Sequence, residues 1–89
     1  MSLHIPDMEV TTFIIKPGSW GDGKTLAEMA LRKKYGVTAM AVRHQGQTLP
    51  NPDGETRLSA QDLVVVMGHP DRLIDLEALL ERGPTAVAA

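Results

Sequence analysis

Leu63 to Arg82 reads LVVVMGHPDRLIDLEALLER, and the rest of the fold is built around this stretch. Leu63 to Met67 is an unbroken apolar run of strand length. A run without polar alternation reads as a central strand buried on both faces. Gly68-His69 ends it. Pro70 suits the first helical position, where its missing N–H would have no partner in any case. Leu73, Ile74, Leu76, Leu79 and Leu80 then recur at helical spacing, so 71–82 reads as an amphipathic helix. Gly83-Pro84 stops it.

Outward from this unit, Val10 to Lys16 (VTTFIIK) is rich in β-branched residues and reads as a strand. Pro17 to Gly23 is a loop punctuated by glycines. Lys24 to Tyr35 reads as one helix. Thr25 and Glu28 form the T-x-x-E capping box that satisfies free amides at a helix start. Leu26, Met29 and Ala30 share a face, Lys33 and Lys34 suit the negative end of the dipole, and Gly36 is the expected left-handed cap. Val37 to Arg43 is a second strand, and Gln47 to Leu49 returns after a Gln45-Gly46 turn. Pro50 to Gly54 is a rigid loop, after which Thr56 to Leu58 is expected to touch the sheet briefly. The order is β-α-β-β-β-α, an α+β fold: a small mixed sheet with two covering helices. Met1 to Leu3 reads as a leader, and residues 1–9 as leader plus extended lead-in. The domain covers 10–82, and 83–89 is expected to be a flexible tail.

Composition narrows the function. At 89 residues and without cysteine, the chain holds one thin-cored domain with no disulfide or thiolate metal site. A domain this small often gains its missing burial from a partner or a second copy. The hydrophobic fraction of 43% against 22% charged marks a folded chain rather than a disordered one. A net charge of -2 argues against a nucleic-acid partner, which would require a clustered basic face. The longest apolar run falls far short of the roughly 20 residues a membrane span needs, and no signal peptide is read at the start. The absence of cysteine fits a bacterial cytoplasmic setting.

Gly18 to Thr25 (GSWGDGKT) satisfies the phosphate-cradling pattern G-x-x-x-x-G-K-[ST], and it lies between a strand and a helix. A P-loop enzyme also needs an acidic residue at the end of a buried strand to hold magnesium, and here Leu63–Met67 ends in Gly68-His69. The chain is also too short for several crossover units. The residues read more simply as a tight turn, a solvated lysine and a capping threonine. His4, His44 and His69 lie on separate elements, so no metal site is read from them. No serine or threonine stands in a nucleophile context, so no catalytic residue is assigned. Asp53, Glu55 and Asp62 read as turn formers. Trp20 reads as a loop anchor packed on the sheet. Arg32 is set apart from Lys33 and Lys34, because its fork can grip a phosphate or carboxylate with two parallel hydrogen bonds.

The chain resembles the TrkA C-terminal domain, also called the RCK C-terminal domain. The resemblance rests on Pro17-Gly18-Ser19, Gly23-Lys24-Thr25-Leu26, Leu31-Arg32-x-x-Tyr35-Gly36-Val37, Ala41-Val42-Arg43, Pro50-Asn51-Pro52-Asp53, Thr56-x-Leu58, Asp62 to Val66, and Gly68. It runs in order from about Val10 to Leu80. It implies a dimeric, non-catalytic regulatory domain of a potassium channel, potassium uptake system or cation–proton antiporter. Such a domain is cytoplasmic, held at the inner face of the membrane by its transporter without inserting. In several members cyclic di-AMP binds at the dimer interface. Carried onto this chain, Leu26 and Ala27 would line a base pocket, and Arg32 would face a phosphate. Thr38 and Gln47 stand where ligand-binding members tend to have asparagine and histidine. Two other readings stay open: a small P-loop-type nucleotide-binding enzyme, and a dimerisation module without a ligand.

Overall fold

In the computed structural model, residues 7–86 are described. Strand β1 (Glu9–Ile14) is followed by helix α1 (Leu26–Met29) and a π-helical turn (Leu31–Tyr35). Strands β2 (Thr38–His44), β3 (Gln47–Pro50) and β4 (Leu63–Gly68) follow, then helix α2 (Pro70–Arg82). The four strands form one sheet in the order β1-β4-β2-β3. The α+β class and the element order are those expected. The sheet, however, is not mixed, because all three pairings are antiparallel. β4 lies between β1 and β2, and the long 51–62 connection carries the chain from β3 at one edge across β2 to this place, antiparallel to both neighbours.

β4 is central but not buried on both faces. Val64, Val66 and Gly68 are buried, whereas Leu63, Val65 and Met67 are only half-buried. The apolar run thus exceeds what burial requires, leaving an apolar outer face that includes Val10 and Ile14 of β1. On the inner face the core gathers Ile15, Val37, Leu58, Val64, Val66 and the α2 leucines 73, 76, 79 and 80. Burying each leucine contributes roughly 1.5–3 kcal/mol, a large share of the stability of a domain this size. Ile74, expected on that face, points to solvent with 69% of its surface exposed.

One further expectation is corrected. The Thr56–Leu58 segment does not join the sheet. Arg57 bridges instead to Thr25, and Leu58 exchanges backbone bonds with Gly23 and Lys24, so the segment braces the start of α1. Pro84–Ala86, at the head of the expected tail, forms a 3-10 turn. Residues 87–89 of the expected tail and 1–6 of the expected lead-in, including His4, lie outside the described residues.

Candidate functional site: a cleft beside the broken first helix

The Lys24–Tyr35 segment is not one helix. Its start is as expected: the Glu28 amide donates to Thr25 Oγ1 at 3.2 Å, and the Thr25 amide donates to Glu28 Oε1 at 2.9 Å. The Thr25 hydroxyl also donates to Glu28 Oε1 at 3.0 Å, and the two bonds donated by Thr25, the amide's foremost, hold the Glu28 carboxyl below its ordinary value. After one turn, however, Ala30 adopts the left-handed conformation at φ 50° and ψ 47°. The chain then resumes as a wider turn closed by Gly36, whose amide donates to Arg32 and Leu31 carbonyls. The break has a packing cause. Leu26, Met29, Leu31 and Val37 are all buried, and no single straight helix puts 26, 29 and 31 on one face. The left-handed residue re-aims Leu31 into the core and leaves Arg32 exposed beside it.

This break opens a cleft of about 340 Å³. One wall is Leu26, Ala27, Ala30, Leu31 and Arg32, the floor is Val37, Thr38 and Ala39, and the far wall is Pro52, Asp53 and Gly54. Four of the five residues singled out in the sequence (Leu26, Ala27, Arg32 and Thr38) therefore share it. Gln47 does not. It pairs with His44 at the far end of the β2–β3 hairpin and opens on a different cleft, with Thr56 and Arg57. Arg32 makes no ion pair among the described residues, so its guanidinium is available to an incoming anion. The cleft is apolar apart from Thr38 on the floor and Asp53 on the far wall, with the cationic fork of Arg32 beside it, and apolar surface next to such a fork suits a flat base joined to a phosphate.

The far wall was not singled out in the sequence, and three local devices build it. β2 bulges between Ala39 and Ala41, and the carbonyl of the displaced Met40 accepts the Asn51 amide at 2.9 Å. Asn51 itself is left-handed at φ 48°. Asp53 then closes a turn, accepting from the Glu55 amide at 3.0 Å and from the Thr56 hydroxyl at 3.3 Å. The Pro-Asn-Pro-Asp-Gly composition signalled a rigid loop, but only the bulge shows where that loop points.

The phosphate-loop pattern is fully spent on the fold. Every backbone N–H from Gly18 through Leu26 already donates within the chain, to Asp22, Lys16, Glu81, Leu80, Ser19, Leu58, Gly21, Glu28 and Thr56 in turn. A phosphate cradle needs those amides free and convergent. Lys24 lies over the Trp20 ring, 5.3 Å from its centre. Trp20 is not simply a sheet anchor. It closes on Gly83 at the end of α2, where a Cβ would meet its Cδ1 at 2.8 Å.

Among the histidines, His44 bonds through Nδ1 to Asp62 Oδ1. Asp62 was expected as a turn former. It does accept the Ser59 amide at 2.9 Å, but it is also a buried carboxylate, 2% exposed. His69 precedes α2, and its carbonyl accepts the Arg72 and Leu73 amides. Among the described residues there is no cluster of three or more metal-ligating side chains, and no helix is long and apolar enough to cross a membrane.

The chain belongs to the TrkA-C domain family, whose model matches residues 10–81. It is 31% identical over 75 residues to Potassium channel protein 1 of Methanocaldococcus jannaschii, covering 84% of this chain and 22% of that protein. It is 38% identical over 48 residues to the Ktr system potassium uptake protein A of Bacillus subtilis, covering 54% of this chain and 22% of that protein. The chain thus spans about a fifth of the length of these curated relatives. Its fold matches the RCK_C domain dimer of S. agalactiae BusR solved in complex with c-di-AMP. The TM-score there is 0.73 at 20% identity, covering 80% of this chain and 93% of that one.

Proposed function

We propose that this domain regulates a potassium or other cation transport system without being an enzyme, and that its cleft senses a small anionic ligand of the cyclic dinucleotide class. The observation that carries the reading is the meeting of Leu26, Ala27, Arg32 and Thr38 on one cleft in a member of the TrkA-C family. The names of the relatives support the transport context, and the c-di-AMP complex of a similarly folded domain supports the ligand class. The domain acts as a homodimer. The cleft is open, and a second copy facing it across a two-fold axis closes it around the ligand. The transporter is a channel, an uptake system or a cation–proton antiporter, joined covalently or as a separate subunit, and the domain sits on its cytoplasmic side.

The energetics fit such a role. A ligand bridging two copies shifts only an equilibrium between states it binds unequally, by a coupling of about 1–3 kcal/mol. Leu26 and Ala27 supply the apolar platform, Arg32 the paired hydrogen bonds to phosphate, and Thr38 a hydroxyl on the floor. The test is a thermal-shift series with c-di-AMP, ATP and AMP. Cyclic di-AMP raises the melting temperature of the wild type, and the rise shrinks in Arg32→Ala. No shift with any of the three leaves the ligand-free dimerisation module as the better reading. A shift with ATP alone, lost in Lys24→Ala, restores the P-loop one.

A further inference from the structure

Among the described residues β1 is an edge strand that nothing covers. Among the described residues it pairs only with β4, in a register that opposes Phe13 to Val64 and Thr11 to Val66. The next pair, Ile15 with Asp62, is hydrogen-bonded, because the Ile15 amide donates to the Asp62 carbonyl at 2.9 Å. Antiparallel pairs alternate between bonded and unbonded, so residues 9, 11 and 13 spend their backbone groups on β4. Val10, Thr12 and Ile14 turn theirs outward. Natural edges are usually blunted by proline, lysine, a bulge or shortness. β3, at the opposite edge, is only four residues long and ends in Pro50. β1 has none of these devices over Glu9–Ile14.

This edge also forms one wall of a groove of about 370 Å³. Thr12, Phe13 and Ile14 supply that wall, consecutive residues that can share a groove only along a strand's edge. The other wall is α2, through Glu77, Leu80 and Glu81. Lys16 also lines the groove, where it holds Glu81 at 2.7 Å and feels the Glu77 charge, whereas Glu77 itself makes no ion pair among the described residues, leaving two carboxylates to one ammonium. The groove therefore offers outward backbone donors and acceptors on one side and a carboxylate on the other.

We infer that the groove between β1 and α2 takes an extended segment of a partner protein, added antiparallel to β1, with a basic side chain facing Glu77. Main-chain bonds to Val10, Thr12 and Ile14 supply the affinity, and Leu80 and Glu77 read alternate side chains. A second copy of this chain fits less well. Pairing β1 with its own twin would set two α2 helices, each carrying an unpaired Glu77, on the same face of the joined sheet.

The experiment is an amide-resolved NMR titration with the capped peptide Thr-Val-Lys-Val-Lys-Val-Thr. The expected result is saturable shifts at Val10, Thr12 and Ile14, with affinity at least tenfold weaker in Thr12→Pro and several-fold weaker in Glu77→Gln. Proline at an edge position with an outward N–H is tolerated, so Thr12→Pro should keep the fold. Should it unfold, the same peptide N-methylated on alternate amides carries the test, because it must fail to bind the wild type. Equal binding of the N-methylated peptide, or absence of saturable shifts along β1, overturns the inference. Shifts of the same amides with protein concentration alone, without peptide, assign the edge to a second copy and overturn the partner proposed.

Discussion

The Ala27 amide donates to the Gly54 carbonyl at 2.9 Å, and this bond fastens the two walls of the cleft to each other. The contact is close because residue 54 has no side chain. A Cβ there would lie 3.2 Å from the Ala27 Cβ. The Pro52–Gly54 loop and α1 therefore move as one wall, and the width of the cleft is set by the smallness of both residues.

Gly54→Val tests that dependence. The branched side chain cannot clear Ala27 and must lever the loop away from α1. Cyclic di-AMP affinity is expected to fall at least tenfold, with a stability loss of about 1–3 kcal/mol. Calorimetry and urea denaturation measure the two effects separately. Unchanged affinity removes the loop from the site.

Ala30→Gly should stabilise the domain. A non-glycine residue in the left-handed region carries a cost of roughly 1–2 kcal/mol, and glycine does not. The greater freedom of glycine in the unfolded chain offsets part of this gain. The expected net change is about +0.5–1 kcal/mol in urea denaturation. A loss of stability would mean that the Ala30 methyl, itself part of the cleft wall, packs more tightly than its geometry indicates.

The capping box gives a pH signature. Glu28 is held below its ordinary value of 4.5 by its bonds to Thr25. A lowered folded-state pKa means stability that is present above 4.5 and lost as pH falls through the folded value. Thr25→Val removes the hydroxyl bond, the smaller of the two, and keeps the amide bond, so part of that dependence is lost; loss of a threonine cap also costs about 1 kcal/mol at neutral pH. Thermal melts from pH 7 down to pH 3 should show a flatter acid limb in Thr25→Val than in the wild type. Parallel limbs contradict the assignment.

Gly83→Ala should be among the most damaging single-methyl additions. Gly83 has φ 91°, and the added Cβ would sit 2.8 Å from Trp20 Cδ1. Strain and overpacking together are expected to cost about 2–4 kcal/mol. Trp20 fluorescence should shift to the red as the ring is displaced, and an unshifted spectrum would show that the ring does not lie on Gly83.

Much of this was legible from residue order alone. The apolar run at Leu63, the helical spacing after Pro70, the T-x-x-E box and Gly36 are local signals, and local signals survive folding. The Ala30 break was not legible, because alanine favours helix and its left-handed turn is imposed by the demand to bury both Met29 and Leu31. The open outer face was equally hidden. An apolar run reports what a strand could bury, and only the placement of both helices on one side decides what it does bury. Of the residues that line the proposed cleft, Arg32 and the start of α1 could be named because they carry the family's pattern. Pro52, Asp53 and Gly54 could not be placed, since the bulge at Met40 that carries their loop to α1 leaves no mark in the sequence. The His44–Asp62 pair joins residues from separate elements and is visible only once β2 and β4 are neighbours.

The most direct measurement is a calorimetric titration of the wild-type chain with cyclic di-AMP, alongside Arg32→Ala. Saturable binding with one ligand per two chains is expected, weakened at least tenfold in the variant by loss of a charge-assisted pair worth about 1.5–3 kcal/mol. No saturable heat for the wild type, or equal affinity in Arg32→Ala, would contradict it.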